Sequence, residues 1–133
     1  MDDVINISGH RIGTAEVEDA INEHEDVVES AVIGIPHEIK GEAMVAFMIP
    51  YNKDHEGADF LEKINKLITQ EIGAIAKLEK AVIVPGLPKT RSGKIMRRVL
   101  RKIATNELKD LGDTSTLLNP EIIERLIELT NKN

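Results

Sequence analysis

The sequence predicts an α+β fold: a small, mostly antiparallel sheet of about three strands, with a short N-terminal hairpin, flanked by helices. Three observations carry this prediction. Two apolar runs, Ala31–Ile35 and Glu42–Ile49, each end at a proline and are separated by the His37–Gly41 turn, the pattern of an antiparallel strand pair. Segments with apolar residues at helical spacing stand before, between and after the runs. The order helix–strand–strand–helix–strand–helix–helix argues for helices covering an antiparallel sheet.

Val4, Ile5 and Ile7 form a short apolar stretch broken by Ser8-Gly9 and Gly13, which suggests a tight hairpin or a loop open to close backbone approach. Thr14 is placed as an N-cap, with Glu16, Glu18 and Asp19 near the positive end of a helix over 15–24. Val17, Ala20, Ile21 and His24 share one face of it. After the strand pair, Asn52–Gly57 is a polar loop. Leu61, Ile64, Leu67, Ile68 and Ile72 then make a helical stripe, with Gly73 as its C-terminal cap. Ala81–Val84 is the third strand, closed by Pro85-Gly86. Leu87–Gly93 has no periodicity. Beyond it Ile95, Val99 and Ile103 mark a helix whose other face is Arg97, Arg98, Arg101 and Lys102. Asp113–Asn119 is a loop, Asn119-Pro120 starts the last helix, and Ile122, Ile123, Leu126, Ile127 and Leu129 give that helix its apolar side.

At 133 residues, 41% hydrophobic and 30% charged, the chain reads as one globular domain over 1–133. The absence of cysteine excludes a disulfide scaffold, a thiol nucleophile and a Cys-ligated zinc site. No apolar run approaches the ~18 residues of a membrane span, and the first residues do not resemble a secretory signal. Those two features set a cytoplasmic expectation. The three aromatic residues, Phe47, Tyr51 and Phe60, leave little surface for base stacking. The net charge of −6 hides an asymmetry. Lys77–Lys102 holds nine of the 17 basic residues and one of the 23 acidic ones, a net +8, so the rest of the chain carries −14.

Within that basic block, Pro88-Lys89-Thr90-Arg91-Ser92-Gly93-Lys94 can turn the chain just ahead of a helix and project Lys94 from the helix start. A lysine there, surrounded by like charge, suits an anion clamp. Residue types alone favour a solvated basic loop leading into a surface helix over that clamp, and they leave open a stand-alone anion- or nucleic-acid-binding module. Ser8-Gly9-His10-Arg11 combines a permissive backbone with an arginine able to fork onto a phosphate, or is simply a turn with an exposed arginine. His37 and His55 are expected to be solvent-facing turn and loop residues.

Several stretches together resemble one family. Asp2-Asp3-Val4-Ile5-Asn6-Ile7-Ser8-Gly9-His10-Arg11-Ile12-Gly13-Thr14-Ala15-Glu16-Val17-Glu18 is similar to the opening of the C-terminal domain of adenylate-forming enzymes, the superfamily of acyl-CoA synthetases, firefly luciferase and peptide-synthetase adenylation domains. Pro88–Arg98 resembles that superfamily's catalytic-lysine motif in the form typical of acetyl-CoA synthetases, and Gly34–His37, Ile39–Gly41 and Leu111–Leu117 match the same subgroup.

The resemblance implies an enzyme that joins acetate and ATP into acetyl-adenylate with release of pyrophosphate, then passes the acetyl group to coenzyme A. It implies Lys94 as the adenylation lysine and as an acetylation site for a lysine acetyltransferase and deacetylase. Asp2 becomes the hinge, Arg11 the contact to the ATP or AMP phosphate, and Ser8 and Gly9 the loop lining the coenzyme A channel. His24, with main-chain groups at Asn22 and Val27, becomes a Mg2+ site. Where the subgroup carries a coenzyme-A-contacting arginine this chain has Thr69, so Lys66 or Lys77 is expected to substitute. Propionate or another short-chain acid is an alternative to acetate. No nucleic acid and no membrane are expected as partners. The N-terminal adenylation domain of the family is expected on the same chain, which on this reading is a piece of a larger enzyme, inactive by itself.

Overall fold

The expected hairpin at the start of the chain forms, and it joins the main sheet. The computed structural model describes residues 4–52, 57–111, 114 and 117–131. Strands β1 (Val4–Ile7) and β2 (His10–Gly13) are followed by helix α1 (Thr14–Asn22), strands β3 (Val27–His37) and β4 (Gly41–Pro50), and helix α2 (Gly57–Glu71). A 3-10 turn at Ala74–Ala76 leads to strand β5 (Lys80–Ile83), helix α3 (Arg97–Ala104), a second 3-10 turn and helix α4 (Ile122–Asn131). All five strands form one sheet in the order β2-β1-β4-β3, with β5 also on β4. β3 pairs antiparallel with β4 over its length. The opposite edge of β4 is shared between β1, at Ile7 and Gly41, and β5, which runs parallel beside Val45–Met48.

The apolar runs of β3 and β4 are unbroken because both faces of the sheet are covered. Val32, Met44, Ala46 and Met48 pack with Val17 and Ile21 of α1 and Phe60, Ile64 and Ile68 of α2. Their neighbours Ala31, Ile33, Val45 and Phe47 point the other way, into Val99, Leu100 and Ile103 of α3 and Ile123 and Leu126 of α4. The sheet is thus the middle of three layers. No helix among the described residues is long and apolar enough to cross a membrane.

Several expectations need correction. The sheet has five strands, since the hairpin is part of it and β5 runs parallel to its neighbour. β3 continues through Pro36 as an edge strand, where a missing N–H leaves no ladder gap on the solvent side. Gly13, not Thr14, is the N-cap of α1; Thr14 is buried, and its hydroxyl has no hydrogen-bond partner. Asn119 does not cap α4 with its side chain. Its amide instead accepts the Lys89 N–H at 3.3 Å and donates to the Leu87 carbonyl at 2.9 Å, holding 87–89 in place. Gly73 ends α2 as expected: at φ +140° it returns its N–H to the Ile68 carbonyl.

Candidate active-site loops

The Lys94 loop is a closed turn. Lys89 and Ile95 form an antiparallel bridge, the Thr90 N–H donates to the Lys94 carbonyl at 2.8 Å, and the Gly93 N–H donates to the Thr90 carbonyl at 2.9 Å. The Thr90 hydroxyl accepts the Lys94 N–H at 3.1 Å and lies 2.9 Å from the Ser92 hydroxyl. Gly93, at φ +86°, supplies the left-handed residue the turn needs. Both flanks are pinned, Met96 N–H to the Pro88 carbonyl and Leu118 N–H to that of Lys89. Lys94 lies on this exposed turn, and its ammonium makes no hydrogen bond or ion pair with any described residue. α3 begins only at Arg97, so the expected projection from a helix start does not hold. What remains of that expectation is a fixed backbone carrying a free cation.

The Ser8–Gly9 turn is built differently. β1 and β2 are joined by two residues at φ 51° and φ 86°, the two-residue turn whose twist matches that of its strands. Ile5, Ile7 and Ile12 point into the core, while Ser8, Gly9, His10 and Arg11 are exposed. Arg11 also makes no contact that would occupy its guanidinium among the described residues. The Ser8 N–H donates to the Lys40 carbonyl at 2.8 Å, which seats the turn on the β3–β4 connection.

The two loops therefore hang from opposite ends of β3. The first is tied to it at Glu29, whose carboxylate is 2.8 Å from the Lys89 ammonium, and the second sits beyond His37. Eight residues of strand separate these anchors, about 26 Å at roughly 3.3 Å each.

Much of the +8 block is consumed between the loops. Arg97 forks onto Glu18, with Nε 3.1 Å and Nη2 2.7 Å from the same carboxylate oxygen, which also accepts the Val32 N–H at 2.8 Å. This contact passes round the outer edge of β3 and joins α1 on one face of the sheet to α3 on the other. Arg98 donates to the Leu111 carbonyl, Lys80 to that of Thr130, and Lys102 pairs with Glu107. Arg101 is engaged as well. The helix face expected to be a free basic surface is largely spoken for.

The remaining candidates divide. Asp2 lies outside the described residues. His24 packs at a tilt against Phe60, ring centroids 5.3 Å apart, and its Nδ1 accepts the Asp26 N–H at 3.1 Å. The Asn22 side-chain oxygen accepts the Ser30 hydroxyl at 2.9 Å, and the Val27 N–H donates to the His24 carbonyl. One imidazole with two main-chain groups is a poor donor set for Mg2+, which favours carboxylate and water oxygens, and no group of three or more His, Cys, Asp or Glu side chains that could hold a metal stands among the described residues. Thr69 does share an open groove of about 530 Å³ with Lys66 and Lys77, the two lysines expected to replace the missing arginine. Glu18 and His37 were not marked as functional by the sequence. The Glu18 contact spans 79 residues, and His37, expected to face solvent, uses its ring nitrogen within its own turn.

Two exposed loops, mounted at opposite ends of one strand on a three-layer α+β scaffold, define the class of domain this is. The chain belongs to the AMP-binding enzyme C-terminal domain family, whose pattern matches residues 16–94. It is 53% identical over 128 residues to acetyl-coenzyme A synthetase from Halorhodospira halophila, covering 96% of this chain and 20% of that protein. Among solved structures it is similar to an acyl-CoA synthetase from Brucella canis, at 36% identity and TM-score 0.74, covering 80% of this chain and 20% of that one. An ATP-bound RpMatB-BxBclM chimera is similar at 27% identity and TM-score 0.70, covering 84% and 21%. The chain spans about a fifth of the length of the curated relatives it matches.

Proposed function

We propose that this chain is the C-terminal domain of a cytoplasmic, AMP-forming acetate–CoA ligase, with the ATP and acetate pockets on an N-terminal adenylation domain. In the first half-reaction an acetate oxygen attacks the α-phosphate of ATP and pyrophosphate leaves. Lys94 places its ammonium against the negative charge that builds on the phosphate and carboxylate oxygens. Arg11 binds the nucleotide phosphate. In the second half-reaction the domain turns about Asp2, the Ser8–Gly9 backbone lines the coenzyme A channel, and the thiol sulfur attacks the acyl carbon with AMP leaving. Lys66 and Lys77, beside Thr69, stand in for the missing arginine toward coenzyme A. Mg2+, when bound with ATP, neutralises phosphate charge; no role is assigned to Asn22, His24 or Val27. Acetylation of Lys94 by a lysine acetyltransferase removes its charge and switches off adenylation.

The observation that carries this reading is the free ammonium of Lys94 on a turn closed by three hydrogen bonds, in a chain that matches acetyl-coenzyme A synthetase over nearly all its length. In the complete enzyme, Lys94→Ala is expected to cut acetate-dependent pyrophosphate release by on the order of 10²–10³-fold. Acetyl transfer from supplied acetyl-adenylate to coenzyme A stays near wild type. Equal loss of both half-reactions, or survival of both, overturns the assignment. Propionate in place of acetate, read by the same pyrophosphate release, separates the two acids.

A further inference from the structure

We propose that His37 is a positioning residue for the Ser8–Gly9 turn, acting through the β3–β4 connection on which that turn is seated. The assignment rests on the coenzyme A role given to Ser8 and Gly9 above. His37 is the last residue of β3. Its Nδ1 accepts two backbone N–H groups of the connection, from Ile39 at 3.2 Å and from Lys40 at 3.1 Å. Two donors aimed at one nitrogen leave it without a proton, so the ring proton of the neutral imidazole sits on Nε2. Nε2 faces Glu79, whose carboxylate is 3.9 Å away and also 3.3 Å from the Lys40 ammonium. Glu79 is in turn fixed to β4 by its N–H, 2.8 Å from the Met44 carbonyl.

Packing does not hold this connection. At its tip Ile39 is 89% exposed, an apolar side chain with no core to enter. The conformation of 38–40 is set by the His37–Gly41 pairing that closes it, by the Lys40–Glu79 ion pair and, at its own N–H groups, by the ring acceptor. The peptide group that follows carries the consequence, because the Lys40 carbonyl is the acceptor for Ser8 N–H. The other ties from β1 to this region are the Asn6 N–H to the Glu42 carboxylate at 3.0 Å and the single pairing of Ile7 with Gly41. Gly41 takes φ +86°, a backbone conformation that other residues rarely adopt, while a Cβ there would make only ordinary contact with the Asn6 carbonyl oxygen, at 3.6 Å. A turn presenting backbone to a ligand is only as well placed as its seat, and His37 is the side chain that shapes that seat.

The test uses the complete enzyme with His37→Phe, which keeps a ring and removes the acceptor, and His37→Asn, whose side-chain oxygen can accept the same two N–H groups. Three quantities are read: acetate-dependent pyrophosphate release, the KM and kcat for coenzyme A with supplied acetyl-adenylate, and amide hydrogen exchange over residues 5–10. His37→Phe is expected to raise the KM for coenzyme A by on the order of tenfold, speed exchange over 5–10 and leave pyrophosphate release within about twofold. His37→Asn restores both altered readouts. Transfer unchanged in His37→Phe, or both half-reactions falling together with no rescue by Asn, overturns the proposal. Should the wild-type protein make no acyl-adenylate, the ligase reading fails instead, and exchange over 5–10 still decides whether His37 positions the turn.

Discussion

The Lys94 loop and the Ser8–Gly9 turn solve the same problem in opposite ways. The first, on the proposed function, presents a charge; its side chain is free among the described residues and its backbone is consumed, since the N–H groups of Thr90, Gly93 and Lys94 are all used inside the turn. The second presents backbone, so its own atoms stay exposed and the hydrogen bonds that hold it reach a neighbouring connection. The lesson is that a loop is fixed by whichever groups its chemistry does not need. It follows that the first loop should be disturbed by changes within itself and the second by changes elsewhere.

Three experiments sharpen this contrast, the largest effect first. Arg97→Ala leaves Glu18 buried beside the β3 edge without its cation, at a cost of about 3 kcal/mol. Because that contact ties the two helical layers together, the midpoint of chemical denaturation is expected to drop and both half-reactions to lose temperature range together. A drop in only one of them would mean the two loops are not mounted on one rigid sheet. Thr90→Val, near in volume but lacking the hydroxyl, removes the acceptor of the Lys94 N–H and costs about 1 kcal/mol. Pyrophosphate release is expected to fall by roughly tenfold with transfer from acetyl-adenylate unchanged, and Thr90→Ser to recover it; a matching fall in transfer would refute the separation.

The smallest effect belongs to a site that serves neither loop. Glu71 beside Glu23 raises the Glu23 carboxyl above its ordinary value of 4.5, with desolvation and Asp19 adding to it. A carboxyl raised in the folded state favours its protonated form there, so the repulsion is absent below the unfolded value and grows as pH rises through the folded one. Glu23→Gln should therefore raise the melting temperature slightly at pH 7, with the gain vanishing well below pH 4.5. A gain that persists in acid would assign the effect to something other than charge.

The sequence made much of this legible, and the physical reason differs from element to element. Helices α1, α2 and α4 are visible because each buries a periodic apolar set, and strands β3 to β5 because each is a short apolar run covered on both faces of the sheet. The Ser8–Gly9 turn is visible because only a permissive pair of residues between two apolar strands can make it. The start of α3 is not, since Ile95 keeps helical spacing with Val99 while its backbone is committed to the bridge with Lys89. Nor is the fate of Arg97: whether a basic residue is a free surface charge or an edge clasp depends on a partner 79 positions away and on a sheet between them. His37 escaped for a local reason, because a histidine in a polar turn looks the same whether its ring faces water or its own backbone. The Lys94 turn can be placed from Ser92-Gly93, but its mounting cannot, because Thr90 acts through a hydroxyl that composition counts merely as polar.

The Glu18–Arg97 contact also bears on how the chain reaches this structure. A chain emerging N-terminus first exposes α1 and the β3–β4 pair long before residue 97 exists, and until then Glu18 can meet the Val32 N–H and water but not its cation. Closing a loop of that span costs chain entropy that nearby pairings do not. The clasp is accordingly a late event of folding, and the β3 edge stays open to pairing with other chains until it closes.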